Sequence, residues 1–213
     1  METSSLKRFE SDLFEVRKEF PNLQIKEWKG QKYLKGILDL KTGNETIVKS
    51  YLIEIKYAAG YPYRFPVLYE IGGDIPNVSD FHKYDDGSCC ITVQPDEILT
   101  CQHGLSITKF IKHEVLPYFG NQYYRKITGE YKKDYPHGRM GYLVYFIDFF
   151  GTDNRYQWLQ LLQSAFENKT LKIHKTDLCY CGSGKSFGQC HVNVIAKLQI
   201  LGKHKVIEYL KIL

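Results

Sequence analysis

The run Cys179-Tyr180-Cys181-Gly182-Ser183-Gly184-Lys185-Ser186-Phe187-Gly188-Gln189-Cys190-His191 sets a Cys-x-Cys pair ahead of an adjacent Cys-His pair, with eight residues between them. Three thiolates and one imidazole complete a tetrahedral donor set of the kind that holds zinc. Gly182, Ser183 and Gly184 supply a tight turn and backbone amides able to hydrogen-bond the sulfurs. An ion closed by four protein ligands keeps no open position for a reacting water. The expected metal is therefore structural or partner-binding, and the reactive centre has to be sought elsewhere.

Three further thiols lie mid-chain: Cys89, Cys90 and Cys101. A nucleophilic cysteine needs exposure and a lowered pKa, supplied by a helix N-terminus or a neighbouring histidine. Cys101 has both by local sequence. It lies in a polar stretch, Thr100-Cys101-Gln102-His103-Gly104, ahead of a helix start and two residues from an imidazole. His82 and His103 are the candidate bases or orienting groups, and at least one of the three thiols must be a quiet buried side chain. Asp85 and Asp86 place two carboxylates in the turn just after His82.

Helix and strand periodicities supply the frame. Leu6, Phe9, Leu13, Phe14, Val16 and Phe20 recur at near-helical spacing up to Pro21, which predicts an amphipathic N-terminal helix. Strand-like runs follow at 23–28 and 33–40, joined across Lys29-Gly30-Gln31-Lys32. The run 47–57 alternates, with Tyr51, Ile53, Ile55 and Tyr57 on one face. A fourth run covers 67–71, after Tyr61-Pro62-Tyr63-Arg64-Phe65-Pro66. From Gly72 to about Gly104 turn chemistry dominates and no period persists; a stretch of this length without regular structure is often functional. Helices are predicted at 105–116, capped by Ser106 and ended by Pro117, then at 142–150 and at 154–167. The last has Trp158, Leu161, Leu162 and Phe166 as its apolar stripe. Residues 192–213 predict one or two helices broken near Gly202. The class is α+β, with a domain over 1–150 and a helical C-terminal region over 151–213 that carries the Cys/His motif at about 177–192.

Composition narrows the function. The 213 residues are 43% hydrophobic and 25% charged, ordinary for a chain that buries a core. Lys and Arg (29) exceed Asp and Glu (24), giving +5, but the charges are scattered, so no nucleic acid partner is expected. The aromatic fraction of 15% is assigned to core side chains. No apolar run approaches the ~18 residues of a membrane span, and Met1 to Arg8 lacks signal-peptide architecture. A cytoplasmic protein with no membrane partner is expected, in which cysteines serve metal or thiol chemistry more readily than disulfides.

Two resemblances sharpen these expectations. The Cys/His run resembles the SEC-C zinc motif at the C-terminus of the SecA translocation motor, which recurs as an appended module in bacterial proteins. Over roughly residues 5–150 the chain resembles the ubiquitin-conjugating enzyme fold. The resemblance rests on helix, four-stranded meander, Tyr61-Pro62-x-x-x-Pro66, a long loop with Gly87-Ser88-Cys89-Cys90, then Leu105-Ser106-Ile107-Thr108-Lys109. The segment from Asn121-Gln122-Tyr123-Tyr124 to Gly141 looks like the stand-alone bacterial members that accompany cyclic-oligonucleotide anti-phage signalling (CBASS) operons. That resemblance implies a thioester with the C-terminal tail of a partner nucleotidyltransferase related to cyclic GMP-AMP synthase, then transfer to lysine. It places Cys90 as the acceptor by motif, whereas local chemistry points equally to Cys101. The family's His-Pro-Asn has no direct counterpart: His82-Lys83-Tyr84 lacks the Pro and Asn, and Ile75-Pro76-Asn77 lies upstream. Two non-catalytic functions stand beside the transferase, a scaffold that grips the partner's tail and an adaptor acting through the zinc module.

Overall fold

A computed structural model describes residues 2–132, 135–167 and 173–213. The chain forms two compact units, divided between Asp134 and Tyr135. The dividing point differs from the boundary expected at 150.

The first unit opens with α1 (Glu2–Glu19) and continues into strands β1 (Leu23–Trp28), β2 (Gln31–Lys41), β3 (Ile47–Lys56) and β4 (Val67–Glu70). They form one antiparallel sheet in the order β1-β2-β3-β4, the meander expected from the alternation. The β1–β2 turn has Lys29 and Gly30 both at positive φ (50° and 76°), the two-residue geometry that matches strand twist. Registers Leu34↔Ile55, Gly36↔Ile53 and Leu38↔Tyr51 align one buried face. Phe9, Leu13 and Val16 of α1 lie in the same core; Phe14, at 55% exposure, falls off the stripe assigned to it.

Beyond the sheet come α2 (Gln94–Cys101), α3 (Ile107–Phe110), a π-helical turn (Ile111–Val115) and α4 (Leu116–Thr128). Two sequence expectations change here. Helix α2 lies inside the stretch read as irregular; its Pro95 and its acidic first turn, Asp96 and Glu97, are start signals too short to outweigh the surrounding turn chemistry. Pro117 does not end the following helix. Ser106 caps it as expected, its Oγ accepting from the Lys109 amide. The helix then passes the proline through the π turn, where the Leu116 N–H reaches back five residues to the Ile111 carbonyl. Ile107, Phe110, Ile111, Val115 and Phe119 complete the core, with Phe119 stacked 4.2 Å from Tyr51.

The second unit contains α5 (Arg139–Phe150), α6 (Arg155–Phe166), the Cys/His segment, α7 (Val194–Leu201) and α8 (Lys203–Ile212). Asn154 caps α6 through the amides of Tyr156 and Gln157, and Gly202 separates α7 from α8 where the sequence placed the break. Trp158 and Leu161 are buried as expected; the ring of Trp158 stacks 4.7 Å from Phe150 and its indole N–H donates to the Thr152 carbonyl.

The π turn also places Glu114 in a half-buried position. Burial, then the nearby Asp96 charge, pushes its carboxyl up from 4.5 to about 7. A raised acid pKa means that the folded state holds a proton the unfolded state has released, so stability falls as pH rises between about 4.5 and about 7. The expected loss is on the order of 1–2 kcal/mol after allowing for solvation of the partly open face. Urea unfolding across this range should show the decline, and Glu114→Gln should flatten it. An unchanged slope in the Gln variant would remove Glu114 as its source.

Candidate functional site

The C-terminal motif folds as a tight knuckle. Cys179 N–H donates to the Lys185 carbonyl and Gly182 N–H returns to the Cys179 carbonyl. Leu178 and Ser186 bridge antiparallel, and Phe187 N–H donates to the Asp177 carbonyl. Gly182 and Gly184 both take φ of +73°, which a side chain would disfavour. This turn brings the Cys-x-Cys pair onto Cys190 and His191, which precede α7.

The four ligand atoms all lie within 4.8 Å of one another. Nδ1 of His191 is 3.2 Å from the sulfurs of both Cys179 and Cys190, and the Cys181 and Cys190 sulfurs are 3.6 Å apart. Zinc–sulfur bonds of ~2.3 Å would give tetrahedral edges near ~3.8 Å, so small shifts suffice to seat an ion. Hydrogen bonding to Ser183 leads the forces that lower the Cys181 thiol to about 7, suiting it to ligate as thiolate. The donor set, its closeness and its turn fit a metal module.

Helix α5 supplies the outer support. A Cβ placed on Gly151, its C-cap, would lie 2.2 Å from Nε2 of His191 and 3.1 Å from Cβ of Cys181. The backbone of Gly151 therefore packs directly on the imidazole, with Nδ1 turned to the sulfurs. Sequence reading passed over Gly151, since nothing local ties it to a motif forty residues on.

In the first unit the mid-chain thiols sit in three different environments. Residues 82–90 form a small hairpin: Tyr84 N–H bonds the Ser88 carbonyl, Gly87 (φ +82°) N–H bonds the Tyr84 carbonyl, and Lys83 pairs with Cys89. Cys89 N–H donates to the Leu68 carbonyl of β4, while Cys90 N–H donates to the His82 carbonyl. Cys89 is 7% exposed and its thiol is raised by burial. Cys90 is only partly buried; burial raises its thiol as well, opposed by a hydrogen bond from Tyr84.

A ring nitrogen of His82 lies within 4.8 Å of the Cys90 sulfur. His82 holds a left-handed backbone (φ 52°) as the cap of the short helical turn Ser79–Phe81, its N–H donating to the Ser79 carbonyl. Tyr118 OH donates to its carbonyl at 3.1 Å, and its ring stands edge-on to Tyr131 at 4.9 Å. Gln122 Nε2 fixes the preceding Phe81 carbonyl at 2.8 Å. On the other side, Glu70, 5% exposed, accepts from the amides of Gly72, Asp74 and Ile75, and buried Lys83 donates to the Glu70 carbonyl. Glu70, Lys83, Tyr118 and Gln122 escaped sequence reading; only the i, i+4 spacing of the last two carried a trace of their shared face.

Cys101 does not occupy the loop assigned to it. It ends α2, is 0% exposed, and its thiol is pushed up to about 12 by burial, then by Glu97 and Glu114. A helix C-terminus and two carboxylates oppose a thiolate, the reverse of what a nucleophile requires. His103 is exposed beyond the helix end. Of the acidic pair, Asp86 caps the turn through the amide and hydroxyl of Ser88, and Asp85 is exposed. The structure thus brings His82 to Cys90 and leaves Cys101 in the core.

Comparison with known proteins bears on the C-terminal segment. Residues 176–191 match the SEC-C motif. No curated protein and no solved structure matches the chain.

Two outcomes follow from these geometries. Gly151→Ala should weaken zinc binding by roughly 10–100-fold, the range found when an outer support of a ligating histidine is lost; chelator competition measures it, and unchanged affinity would show that the contact carries no weight. Iodoacetamide should label Cys90 before Cys89 and Cys101 in zinc-loaded protein, faster as pH rises from about 7 to 9 because all three thiols are raised. Peptide mapping that finds Cys101 labelled first would contradict the burial described here.

Proposed function

We propose that the first unit is a ubiquitin-conjugating-like cysteine transferase whose nucleophile is Cys90 and whose base or orienting group is His82. The observation that carries this reading is the Cys90–His82 pair, held on a hairpin whose backbone is fixed from both sides. Helix, four-stranded meander, Tyr-Pro-x-x-x-Pro turn and cysteine loop occur in the order that the resemblance to that fold requires. The substrate in this reading is the activated C-terminal tail of a partner protein, a cGAS-like nucleotidyltransferase in CBASS antiviral defence, within a bacterial cytoplasm. Among the described residues no helix is long and apolar enough to cross a membrane.

The chemistry is a two-step acyl transfer. The Cys90 thiol gives its proton to His82 as its sulfur bonds the activated carbonyl carbon and the activating group departs. A lysine amine then attacks the thioester carbonyl; the C–N bond forms, the C–S bond breaks, and the sulfur regains a proton as the amine loses one. Asn77 is the candidate for oxyanion support through its side-chain amide N–H; that side chain reaches the Gly87 turn, its Oδ1 lying 3.9 Å from where a Cβ on Gly87 would stand. The second unit contributes a structural zinc held by Cys179, Cys181, Cys190 and His191, the ion that SEC-C motifs usually bind. A second reading, a scaffold that grips the tail without chemistry, draws on the raised Cys90 thiol and the missing His-Pro-Asn.

The test combines the protein with a cGAS-like nucleotidyltransferase from a CBASS operon and the components that activate its C-terminal tail. A covalent species that thiol reductant removes is expected. Cys90→Ser should abolish it or convert it into a reductant-stable ester, while Cys101→Ser leaves it intact once folding is verified. His82→Asn keeps a residue that tolerates the left-handed backbone and removes the imidazole, so formation should slow by ~100-fold or more. A stable complex that never becomes covalent would establish the scaffold instead.

A further inference from the structure

A cleft of about 440 Å³ opens in the first unit on the α4 side of the 72–81 loop. Three cations line it, Lys49 from β3 and Arg125 and Lys126 from α4, against one carboxylate, Asp74. Asp74 is 2.5 Å from the Lys49 ammonium and 4.0 Å from that of Lys126. Its backbone is fixed, because its own amide and those of Gly72 and Ile75 all donate to Glu70. Arg125 is set as firmly. Its guanidinium lies 3.9 Å over the Phe81 ring and 4.6 Å over Tyr131, and it donates to the Asp80 carbonyl and the Tyr131 hydroxyl.

Among the side chains that line it, three positive charges against one negative leave an excess of two in a concave, partly apolar space whose size suits a small molecule. The Glu70 carboxylate behind the 72–75 turn is spent on three backbone amides. We infer that this cleft binds a small dianionic ligand, a phosphate monoester or a dicarboxylate, with Asp74 standing where one ligand oxyanion would lie. Asp74 then acts as a resident counter-ion: it keeps the lysines positioned without a ligand and competes with a ligand that arrives. A preorganised cation cluster of this kind recognises oxyanions through charge-assisted hydrogen bonds, which are about twice as strong as neutral ones. The inference is independent of the Cys90 chemistry and stands if that reading fails.

Calorimetric titration of the full chain with inorganic phosphate and, separately, with succinate tests it at low salt. Saturable binding of at least one probe is expected, and the tighter probe identifies the oxyanion type. Lys49→Gln and Lys126→Gln should each weaken it, Lys49→Gln by about tenfold for the loss of one charge-assisted contact. Asp74→Asn should tighten binding several-fold by removing the competitor. Asp153→Asn, in the second unit, makes the same change in net charge and should leave affinity unchanged. Absence of saturable binding by both probes, an equal gain in the two Asn variants, or weaker binding in Asp74→Asn would each overturn the site.

Discussion

The candidate reactive thiol is selected by one backbone constraint, the pairing of residues 88–90 between the free edge of β4 and the 82–84 strand of their own hairpin. An edge strand exposes unpaired amides and carbonyls; here the Leu68 carbonyl takes the Cys89 N–H and the His82 carbonyl takes the Cys90 N–H. An extended segment sends successive side chains to opposite faces. With two consecutive cysteines held this way, one must enter the core and its neighbour must leave it. Cys89 enters beside Tyr118, and Cys90 is left on the side of His82.

That pairing is itself held by groups on two other elements. Glu70 gathers three amides of the 72–75 turn, and Lys83 anchors the hairpin to the Glu70 carbonyl. Buried charges of this kind are costly unless every lone pair and proton finds a partner, so the turn and the hairpin are fixed together. From the opposite side Tyr118 and Gln122 grip the carbonyls of Phe81 and His82. Their direction depends on the π turn at Ile111–Val115. One residue added to a helix rotates everything after it by about 100°. The turn that lets the helix pass Pro117 therefore also aims α4 at the loop.

Local signals made much of this legible. The Lys29-Gly30 turn, the alternation of Tyr51, Ile53 and Ile55, the Ser106 cap and the Gly202 break each depend on residues within one or two turns of each other. The Cys/His motif is legible for the same reason: its geometry is built by its own glycines. What escaped was set at a distance. Whether Cys101 is a loop nucleophile or a core thiol depends on α2 delivering it to the core cluster that also holds Ile107, Phe110 and Ile111. The support of His191 by Gly151 spans forty residues of chain, and no period or cap announces either contact. Pro117 is the clearest failure of a local rule, since its helix-breaking effect holds only while the ladder keeps an i→i−4 register.

The two sets of cysteines show why sequence alone divides them poorly and environment divides them well. Cys181 has the thiol most readily ionised among those whose shifts are resolved, drawn down by Ser183, and coordination would consume the lone pair that makes a thiolate nucleophilic. Cys90 is the reverse, a thiol kept protonated by burial with an imidazole beside it. A permanently ionised, exposed sulfur would meet every oxidant and electrophile; a raised thiol paired with a base ionises only as its proton is taken. The same burial that opposes the thiolate would also make the finished thioester less accessible to water. In the proposed transfer, a cysteine holding an acyl group until a lysine arrives would gain from that protection, whereas cysteines placed to close around a metal would have no use for it.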